Sequence, residues 1–392
     1  MISVTALPTR VDVAVIGGGV MGTSIAARLA ENGASVALLE KQTLGCGSSA
    51  KPIGGFRAQF SDETNIALGL RSLTEHLLPF RRRYGVDIDL VQCGYLFLLT
   101  DEQQVEGYAA AAALQRSMGV DSAVVDPAEV HRLNPYVPAG SVLAGQFSPM
   151  AGHLRPAGMI RGFADLARRH GATMHEYTPV SGITAAADGE ALLHTPAGEM
   201  RAGAVVIAAG AWSGEVGALA GIDLPVRPLR RQLAFTAPGA AGTPPLIPFT
   251  LDAATTGYFH NVGPDRLLFG FADQAEPEGF GTDWDEGWLA GFRAFAAERA
   301  PELAAMPVES GWAGLYEMTP DRNAVIGEAT GGAFRTLYAA GFSGHGVLQS
   351  PAVGEVVADL YAGRAPFTDV SRFSADRFSG GGAGLAHELA VI

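Results

Sequence analysis

Near the N-terminus, the hydrophobic and polar positions follow the order expected of a β-α-β unit. Residues 11–16 form a short apolar run, which is typical of a strand buried on both faces. Residues 20–31 carry apolar side chains at helical spacing, and Gly33 follows where helices often end in a left-handed residue. Residues 35–40 form a second apolar run. We therefore expect two parallel strands joined by a helix through a right-handed crossover.

The rest of the chain alternates between helical and extended patterns. Helices are predicted at 64–84, 103–119, 126–133, 155–170, 283–299 and 347–361. Strands are predicted at 95–99, 173–180, 182–195, 204–208 and 336–340, and the stretches 227–251 and 257–271 are rich in strand pattern with frequent proline and glycine. Segments of α/β character lie at the start, the middle and the end of the chain, and strands of antiparallel type lie between them. This order predicts an α/β fold of two domains, each assembled from separate chain segments.

Composition and charge narrow the classes of function. The 392 residues correspond to two or three domains, and 48% hydrophobic with 17% charged residues exclude disorder as the general state. The net charge of -13, from 40 acidic and 27 basic residues, argues against nucleic acid as a partner. The 51 glycines, about twice the average usage, indicate tight turns and loops that approach a ligand closely.

The cysteines and the apolar segments indicate a reducing compartment and no membrane anchor. Cys46 and Cys93 are too few for a metal cluster or a disulfide framework, although they could pair. Residues 1–10 lack the apolar core of a secretory signal, and no uncharged stretch resembles a membrane span. We expect a cytoplasmic enzyme with no metal site and no membrane association.

A glycine-rich turn joins the first strand to the first helix. In Gly17-x-Gly19-x-x-Gly22 the first glycine allows the tight turn, the second lets the backbone approach a pyrophosphate, and the third lets the helix pack closely on the sheet. The helix N-terminus would hold the phosphate charge, and Glu40 at the end of the second strand can accept both hydroxyls of a ribose. The turn predicts a bound dinucleotide, and this motif alone leaves both NAD and FAD open.

Two later segments bear on the choice of dinucleotide. Residues 205–212, VVIAAGAW, form a hydrophobic strand that ends in small residues, a pattern found where flavoproteins close over the dinucleotide. Residues 337–346, LYAAGFSGHG, lead into an apolar helix. A glycine loop that opens a helix aims backbone N–H groups and the positive end of the helix dipole at one point. Such a loop suits the negative N1–C2=O edge of a reduced flavin and a phosphate equally.

Four segments together resemble one enzyme family. They are GGGVMG at 17–22, GSSAKPIGGFR at 47–57, AAGAW at 208–212 and GFSGHGVLQSPAVGE at 341–355. Over about residues 11–365 the chain resembles the FAD-dependent amine oxidoreductases that include D-amino-acid oxidase, glycine oxidase and sarcosine oxidase. The resemblance implies a Rossmann-like FAD-binding domain and a substrate domain built on a large mixed or antiparallel sheet. It places the first domain at 1–85, 146–218 and 310–372, the second at 86–145 and 219–309, and a tail at 373–392.

The resemblance also implies how FAD is held. Contacts are expected from Gly17, Gly19, Val20, Met21, Gly22, Glu40, Lys41, Ser48, Ser49, Gly54, Gly55, Val180, Ala209, Gly210, Trp212, Gly341, Gly344, His345, Gly346 and Val347. The cysteine that links flavin covalently in monomeric sarcosine oxidase falls near Gly314 here, and no histidine occupies the alternative linkage loop at 48–51. We therefore expect non-covalent FAD.

The resemblance implies five candidate residues at the substrate. Arg57 matches the arginine that holds the carboxylate of sarcosine-type substrates, and its alternative is an exposed loop position. Tyr316 matches a pocket tyrosine, with core packing as its alternative. Tyr258 and His260 alternate on one face of a predicted strand, where they either line the pocket or serve as a core and a rim residue. His345, in the flavin loop, is expected to position the reactants rather than to act as a base.

One basic pair stays ambiguous at this level. Arg231-Gln232 resembles an Arg-Gln pair near the flavin of this family. Arg227 and Arg230 are so close that the sequence does not decide which arginine faces the site.

Two lysines of the family are missing from this chain. A second carboxylate ligand falls on Leu348, and the lysine that speeds reaction with oxygen falls near Leu267 or Leu268. These leucines favour an amine that is bulkier or more apolar than sarcosine.

The activity implied by the resemblance is oxidation of a C–N bond. An amino acid or N-substituted glycine would give an imine, which water splits into an amine and glyoxylate or a keto acid. Molecular oxygen is the expected acceptor, with H2O2 formed. One alternative is a dehydrogenase that passes electrons to a partner subunit, which the missing lysine favours. Another is a non-catalytic flavoprotein that serves in an assembly. A homo-oligomer and a partner subunit are both open.

Overall fold

A computed structural model describes residues 6–51, 54–240, 242, 245–379 and 388. Helices and strands are numbered separately in chain order. The helices are α1 Val20–Glu31, α2 Glu63–Ser72, α3 Phe80–Tyr84, α4 Glu102–Ser117, α5 Pro127–Leu133, α6 Pro156–Arg169, α7 Ser213–Leu219, α8 Leu289–Arg299, α9 Pro301–Ala304 and α10 Gly346–Tyr361.

The first sheet has eight strands and a parallel centre. They are β1 Arg10–Ile16, β2 Val36–Leu39, β8 Thr173–His175, β9 Gly182–Ala185, β10 Ala191–Thr195, β11 Gly198–Ile207, β17 Val325–Glu328 and β18 Arg335–Ala340. The main path runs β17-β18-β11-β1-β2-β8, and β10 and β9 extend it from β11. β1 is parallel to β2 and β11, and β11 is parallel to β18. From Val13 to Ile16 the central strand β1 is apolar on both faces, because both faces are covered there, as parallel sheets require.

Three helices cover one face of this sheet. α1 packs against both α6 and α10, and their apolar sides form one core with the alternate residues of β1. The first β-α-β unit is therefore present as predicted, and its loops meet at the carboxyl ends of the parallel strands. Ligands bind at these ends in open α/β sheets.

The second sheet is mostly antiparallel and also has eight strands. They are β4 Tyr95–Leu99, β5 Ala123–Val125, β6 Ala144–Ser148, β12 Arg227–Thr236, β13 Phe249–Asp252, β14 Tyr258–Val262, β15 Arg266–Phe271 and β16 Val308–Met318, in the order β16-β12-β15-β14-β13-β4-β6-β5. One pair, β13 with β4, is parallel. A short pair, β3 Gly55–Phe56 with β7 Gly152–His153, lies apart from both sheets. The predicted class, a Rossmann-like α/β part beside a large mixed sheet, is confirmed.

The domain bounds stay a prediction. The bounds at 146 and 310 fall inside β6 and β16, and both strands belong to the second sheet.

Several predicted elements are shorter than the pattern suggested. The helix predicted at 64–84 is divided by a π-helical turn, Leu73–Leu77, and by Pro79, which has no N–H to continue the hydrogen-bond ladder. The strand predicted at 173–180 ends at His175, because Tyr177 adopts a left-handed backbone with φ 53°. The helix predicted from 283 begins as α8 at Leu289, after a short 3-10 turn.

The beginning of the predicted tail is docked on the first sheet. Residues Ala375–Phe378 form a 3-10 turn, and the Arg377 guanidinium bonds the buried Asp321 carboxylate at 2.8 and 3.0 Å. From residue 380 onwards the tail lies outside the described residues, apart from Glu388. Both cysteines are free. In the part of the chain that the structure describes, no helix has the length and apolar character needed to cross a bilayer.

Candidate active site

A cavity of about 570 Å³ extends from the first β-α-β unit to the second sheet. Its wall includes most of the predicted FAD contacts. Gly22 and Gly341 are the two that do not line it. Of the predicted substrate residues, Arg57, Tyr258, Tyr316 and His345 line the cavity and His260 does not. We call the part near Gly17 the dinucleotide end and the part near Arg57 the amine end.

The glycines of the first turn have different structural reasons. Gly17 has φ 116°, and a Cβ there would lie 2.2 Å from the Ala208 carbonyl oxygen. A Cβ at Gly22 would lie 1.9 Å from the Gly17 carbonyl oxygen, so this glycine allows the helix to pack on the turn. Gly19 precedes α1 and borders the cavity, where a Cβ would meet only the Ser49 hydroxyl at 3.0 Å. The cavity side of Gly19 is therefore open for a group that must approach the backbone.

Glu40 is held at the end of β2 by two backbone donors. The N–H of Gly18 donates to Oε2 at 2.7 Å, and the N–H of Gln42 donates to Oε1 at 2.8 Å. These bonds orient the carboxylate at the cavity wall. Its remaining acceptor capacity fits the two hydroxyls of a ribose.

Both lysines of the chain line the cavity. The Lys41 ammonium lies 3.2 Å from the centroid of the Trp212 ring, and this cation–π contact holds the two lining side chains together. Burial lowers the pKa of Lys41, and the charges of Glu40 and Glu215 oppose this shift. The Lys51 carbonyl accepts a hydrogen bond from the Trp312 indole at 2.9 Å. Lys51 is a cavity residue that the sequence analysis missed as a contact.

The predicted flavin loop opens α10 toward the cavity. Gly344 has φ 100°, and His345 precedes the first helical residue, Gly346. Gly344, His345, Gly346 and Val347 all line the cavity, so the N–H groups that start this 16-residue helix face it. There is a second reason for glycine at position 344, because a Cβ there would lie 2.7 Å from the Tyr316 ring.

Glu317 is a partly buried acid of the cavity wall that sequence reasoning missed. It follows Tyr316 on β16, and its Oε2 accepts the N–H of Gly341 at 3.1 Å. Burial raises the pKa of Glu317 to about 7, although hydrogen bonds from the Gly341 and Phe342 N–H groups work against the shift. Strand alternation places Tyr316 and Glu317 on opposite faces, so a glutamate here suggests a solvent-facing position. Both line the cavity, and the end of β16 contacts the flavin loop there, since the Ser343 N–H donates to the Glu317 carbonyl at 3.1 Å.

Arg57 is buried, not exposed in a surface loop. Only 4% of the residue is exposed, and one guanidinium nitrogen donates to the Gln59 carbonyl. Its guanidinium carbon lies 4.4 Å from the ring centroid of Phe60 and 5.6 Å from that of Tyr95. This packing fixes the direction of a side chain that borders the cavity.

Three tyrosines line the amine end. Tyr95, Tyr258 and Tyr316 come from β4, β14 and β16; Tyr95 and Tyr258 are buried, and Tyr316 is partly buried. Burial raises the pKa of all three, and the charge of Arg231 partly lowers those of Tyr258 and Tyr316. Their hydroxyls are therefore neutral at pH 7 and can donate or accept hydrogen bonds.

His260 lies behind the cavity wall instead of lining it. Its ring stacks on His153 at 4.4 Å and on Phe249 at 5.1 Å between centroids, and its Nδ1 bonds the Asn261 backbone oxygen at 2.7 Å. Phe249 and Tyr258 occupy the wall at this point. His345 does reach the cavity, where its ring meets the edge of Phe60 at 5.0 Å.

The ambiguity among the arginines of β12 is resolved by their partners. Arg230 forms an ion pair with Glu276 at 2.9 Å, whereas Arg231 points to the other side and lines the cavity with Leu233. Arg231 is 8% exposed, and its Nη1 donates to the Arg230 carbonyl at 3.2 Å. The alternation of the strand contained this signal, but the register did not follow from sequence.

The wall fits a dinucleotide at one end and a small anionic molecule at the other. The turn at Gly17 and Gly19 and the carboxylate of Glu40 supply a backbone cradle and a ribose acceptor. The N-terminus of α10 supplies further N–H groups beside Tyr316. The described residues contain no group of three or more His, Cys, Asp or Glu side chains that could hold a metal ion.

Comparisons with known proteins agree with this geometry. Residues 12–360 match the family described as FAD dependent oxidoreductase, DAO. A glycine oxidase of Geobacillus kaustophilus (strain HTA426) is 30% identical over 378 residues, which cover 95% of this chain and 98% of that protein. The mitochondrial dimethylglycine dehydrogenase of Mus musculus is 27% identical over 91% of this chain, which spans only 43% of that longer protein.

A solved structure gives the same result for the fold. The crystal structure of L-proline dehydrogenase from P. horikoshii has a TM-score of 0.88 and 31% identity, covering 96% of this chain and 99% of that one. The predicted family, fold class and cofactor are thereby confirmed. The chain belongs to the DAO family of FAD-dependent oxidoreductases, and its cofactor is FAD.

Proposed function

We propose that this chain oxidises the C–N bond of an amino acid or an N-substituted glycine. The observation that carries the proposal is the continuity of the cavity. One space joins the FAD cradle at Gly17 and Gly19 to an end lined by the buried Arg57 and three tyrosines. Relatives named glycine oxidase and dimethylglycine dehydrogenase support an amine as the substrate.

Arg57 is proposed to anchor the substrate carboxylate. A guanidinium presents two parallel N–H donors that match a carboxylate, and burial strengthens this pairing. The aromatic rings of Phe60 and Tyr95 hold the Arg57 side chain in one direction. A fixed anchor sets the position of the carbon that is oxidised, because small displacements of reacting atoms cost rate.

The tyrosines and His345 are proposed to orient the amine. Since burial keeps the hydroxyls of Tyr258 and Tyr316 neutral, they can bond the substrate without adding charge. His345 lies at the start of α10 and borders both the flavin loop and the amine end. FAD, when bound, would supply the two-electron oxidant: the carbon next to nitrogen loses a hydride and the nitrogen loses a proton, which leaves the imine. Water then splits the imine into an amine and a carbonyl product, which is glyoxylate for an N-substituted glycine.

An anaerobic reduction screen tests this function. Purified protein is mixed without oxygen with N-alkyl glycines, D- and L-amino acids and N-carboxymethyl amino acids, and loss of the oxidised-flavin absorbance is followed. We expect at least one class to bleach the flavin and to release the corresponding carbonyl product. A flavin that no amine reduces, while dithionite reduces it, would favour the non-catalytic assembly role.

The electron acceptor distinguishes two versions of this function. Leu267 and Leu268, where the family places an oxygen-activating lysine, are buried in β15, and neither lines the cavity. The lack of a lysine at these positions, and not their place in the fold, favours a dehydrogenase that passes electrons to a partner as the second candidate. Peroxide formed in proportion to amine consumed in air would identify an oxidase. Turnover only with an added artificial acceptor would identify the dehydrogenase.

FAD is proposed to be held without a covalent bond. Gly314 lines the cavity but has no side chain to form a link, and the loop at 48–51 contains no histidine. Acid precipitation is expected to give a colourless pellet and a yellow supernatant. A yellow pellet would contradict this, and Cys46→Ser, which changes the cysteine of the cavity wall, would then test that residue as the linkage.

A further inference from the structure

The amine end contains a second buried arginine that has no acidic partner in the described part of the chain. Arg231 lines the same cavity as Arg57, and only 8% of the residue is exposed. Its Nη1 reaches one backbone oxygen, that of Arg230, at 3.2 Å. Its Nε is buried and finds no hydrogen-bond partner among the described residues. The guanidinium therefore has donor capacity that the described chain leaves unused.

The charged groups nearest to Arg231 do not neutralise it. Glu276 is engaged by Arg230 in an ion pair at 2.9 Å, and Arg322 adds a second positive charge to the surroundings. Glu317, the acid of the neighbouring strand, accepts the Gly341 N–H instead. Burial lowers the pKa of Arg231, and Tyr316, Tyr258 and Glu276 only partly oppose the shift. A buried charge without a partner is unfavourable, so an anionic ligand would stabilise this arrangement.

Arg231 and Arg57 occupy different sides of the amine end. Arg231 comes from β12 and lies with its guanidinium carbon 5.5 Å from the centroid of the Tyr316 ring. Arg57 follows β3 and is packed against Phe60 and Tyr95. Phe60, on which Arg57 packs, meets the ring of His345 at 5.0 Å, and the neighbouring Gly344 borders the Tyr316 ring, on which Arg231 packs. The two guanidinium groups therefore flank the same part of the cavity. The pyrophosphate cradle at Gly17 and Gly19 lies at the other end of the cavity.

We propose that the amine end has two carboxylate positions, one at Arg57 and one at Arg231, and that the substrate is an N-substituted glycine whose second substituent also ends in a carboxylate. This inference rests on the proposed function for its amine, but the anion positions follow from the two arginines alone. It replaces the expectation of a more apolar substrate. That expectation rested on leucine at position 348 in place of a second carboxylate ligand, and Arg231 now supplies that second positive charge. Each guanidinium would hold one carboxylate, and the nitrogen would lie between them beside Tyr316.

The binding test uses two matched pairs of small molecules and the FAD-loaded protein. Butyrate and glutarate are the carbon isosteres of N-methylglycine and N-(carboxymethyl)glycine, and they cannot be oxidised at a C–N bond because they lack nitrogen. Their Kd values are measured from the perturbation of the flavin absorbance. We expect glutarate to bind at least about tenfold more tightly than butyrate. Arg231→Gln is expected to raise the Kd of glutarate by about 30-fold or more and the Kd of butyrate by less than about threefold.

The control variant is Arg230→Gln, which changes the adjacent arginine that faces Glu276. It is expected to leave both Kd values unchanged. The same comparison is made for kcat/KM with N-(carboxymethyl)glycine and N-methylglycine, and the same selective loss is expected in Arg231→Gln. Equal losses for the mono- and dicarboxylates, or no loss for either, would overturn the second carboxylate position. Loss of bound FAD in Arg231→Gln would also overturn it, since the arginine would then serve the cofactor.

Failure of the proposed function gives a different result. If neither amine reduces the flavin but glutarate binding depends on Arg231, the two anion positions stand and the amine oxidation is wrong. If both amines reduce the flavin at rates independent of Arg231, the oxidation stands and the second carboxylate position is wrong.

Discussion

The two ends of the cavity are built in different ways. The dinucleotide end is mostly backbone: the turn at Gly17 and Gly19, the N–H groups that hold Glu40, and the residues after β11. The amine end is made of side chains, which come from β4, β12, β14, β16 and the loop after β3. One end is therefore fixed by chain geometry and the other by which side chains the second sheet brings together.

This difference teaches where function can vary. A backbone cradle rejects almost any added side chain, so its sequence is narrowly determined. A wall of side chains keeps its shape when residues are exchanged, and its charge pattern then selects a different ligand. The first end indicates a bound dinucleotide, whereas the proposed substrate is inferred from the second.

The largest expected effect is at the amine end. Arg57→Ala is expected to lower kcat/KM on the best carboxylate substrate by roughly 30- to 5000-fold, because losing one partner of a buried charge pair costs about 2–5 kcal/mol. Arg57→Lys is also expected to have a lowered kcat/KM, since an ammonium cannot replace the two parallel N–H donors of a guanidinium. The measurement is steady-state kinetics on the acid and on its carboxamide.

The carboxamide is the control for this prediction. The carboxamide should lose much less, because it carries no charge to pair. Equal losses on both, with an unchanged Tm, would mean that Arg57 shapes the cavity without binding the carboxylate.

At the dinucleotide end, the damaging change should be an added side chain, whereas at the amine end it is the loss of a charge. Gly19→Val is expected to weaken FAD binding at least about 100-fold, since overpacking costs about 3 kcal/mol or more where a cofactor must approach the backbone. The fold should persist, because the added carbon meets only the Ser49 hydroxyl and Gly19 has an ordinary φ of −73°. The measurement is the Kd of FAD for the apoprotein, with Gly140→Ala at an open position as the control. Full flavin occupancy in Gly19→Val would place the dinucleotide elsewhere.

Glu317, which lies between the two ends of the cavity, is expected to make the free energy of unfolding depend on pH. Burial raises the pKa of Glu317 to about 7 from its ordinary 4.5, so the folded chain holds this proton more tightly than the unfolded chain. The free energy of unfolding should therefore fall as pH rises from about 4.5 to about 7, by about 3 kcal/mol from this group. Glu317→Gln should remove that part of the loss.

The comparison between wild type and Glu317→Gln isolates this group. Other buried groups are common to both proteins, such as His153, whose pKa burial lowers to about 4 and whose contribution has the opposite sign. Urea unfolding at several pH values gives the two curves. Parallel curves across this range would show that the Glu317 proton is not involved.

The smallest expected effect concerns one hydroxyl of the amine end. Tyr258→Phe removes a neutral hydrogen-bonding group from the cavity wall and should lower kcat/KM by roughly fivefold, the value of about 1 kcal/mol for one hydrogen bond. Tyr136→Phe changes a tyrosine of another core cluster and is the matched control. Equal effects of the two variants would assign Tyr258 to packing alone.

Much of the dinucleotide end could be predicted from sequence because its determinants are local. The turn at Gly17, the helix after it and Glu40 lie within a single β-α-β unit, and each residue type has one physical reason. The same locality identified the loop at Gly344 before α10. Of the predicted FAD contacts, only Gly22 and Gly341 are set back from the cavity. Gly22 serves helix packing, and the Gly341 N–H donates to Glu317.

The amine end could be predicted only in part. Tyr258 and His260 share a strand face, yet only Tyr258 reaches the cavity, because Phe249 of the neighbouring strand covers His260. Arg231 could not be separated from Arg230, since a shift of one residue in register exchanges the two faces of a strand. The register of β12 with β16 decides this, and it depends on contacts between residues far apart in the chain.

The sequence by itself determined the β-α-β unit and the glycine turns, because short-range geometry limits those positions to a few residue types. The family and the choice of FAD over NAD came from the resemblance of four segments spread along the chain. The tertiary structure alone decided which charges meet in the cavity. It placed Glu317 beside the flavin loop and brought Arg231 to the same space as Arg57. Side-chain charge acts through distance and burial, and both are set by the pairing of strands that the chain order does not specify.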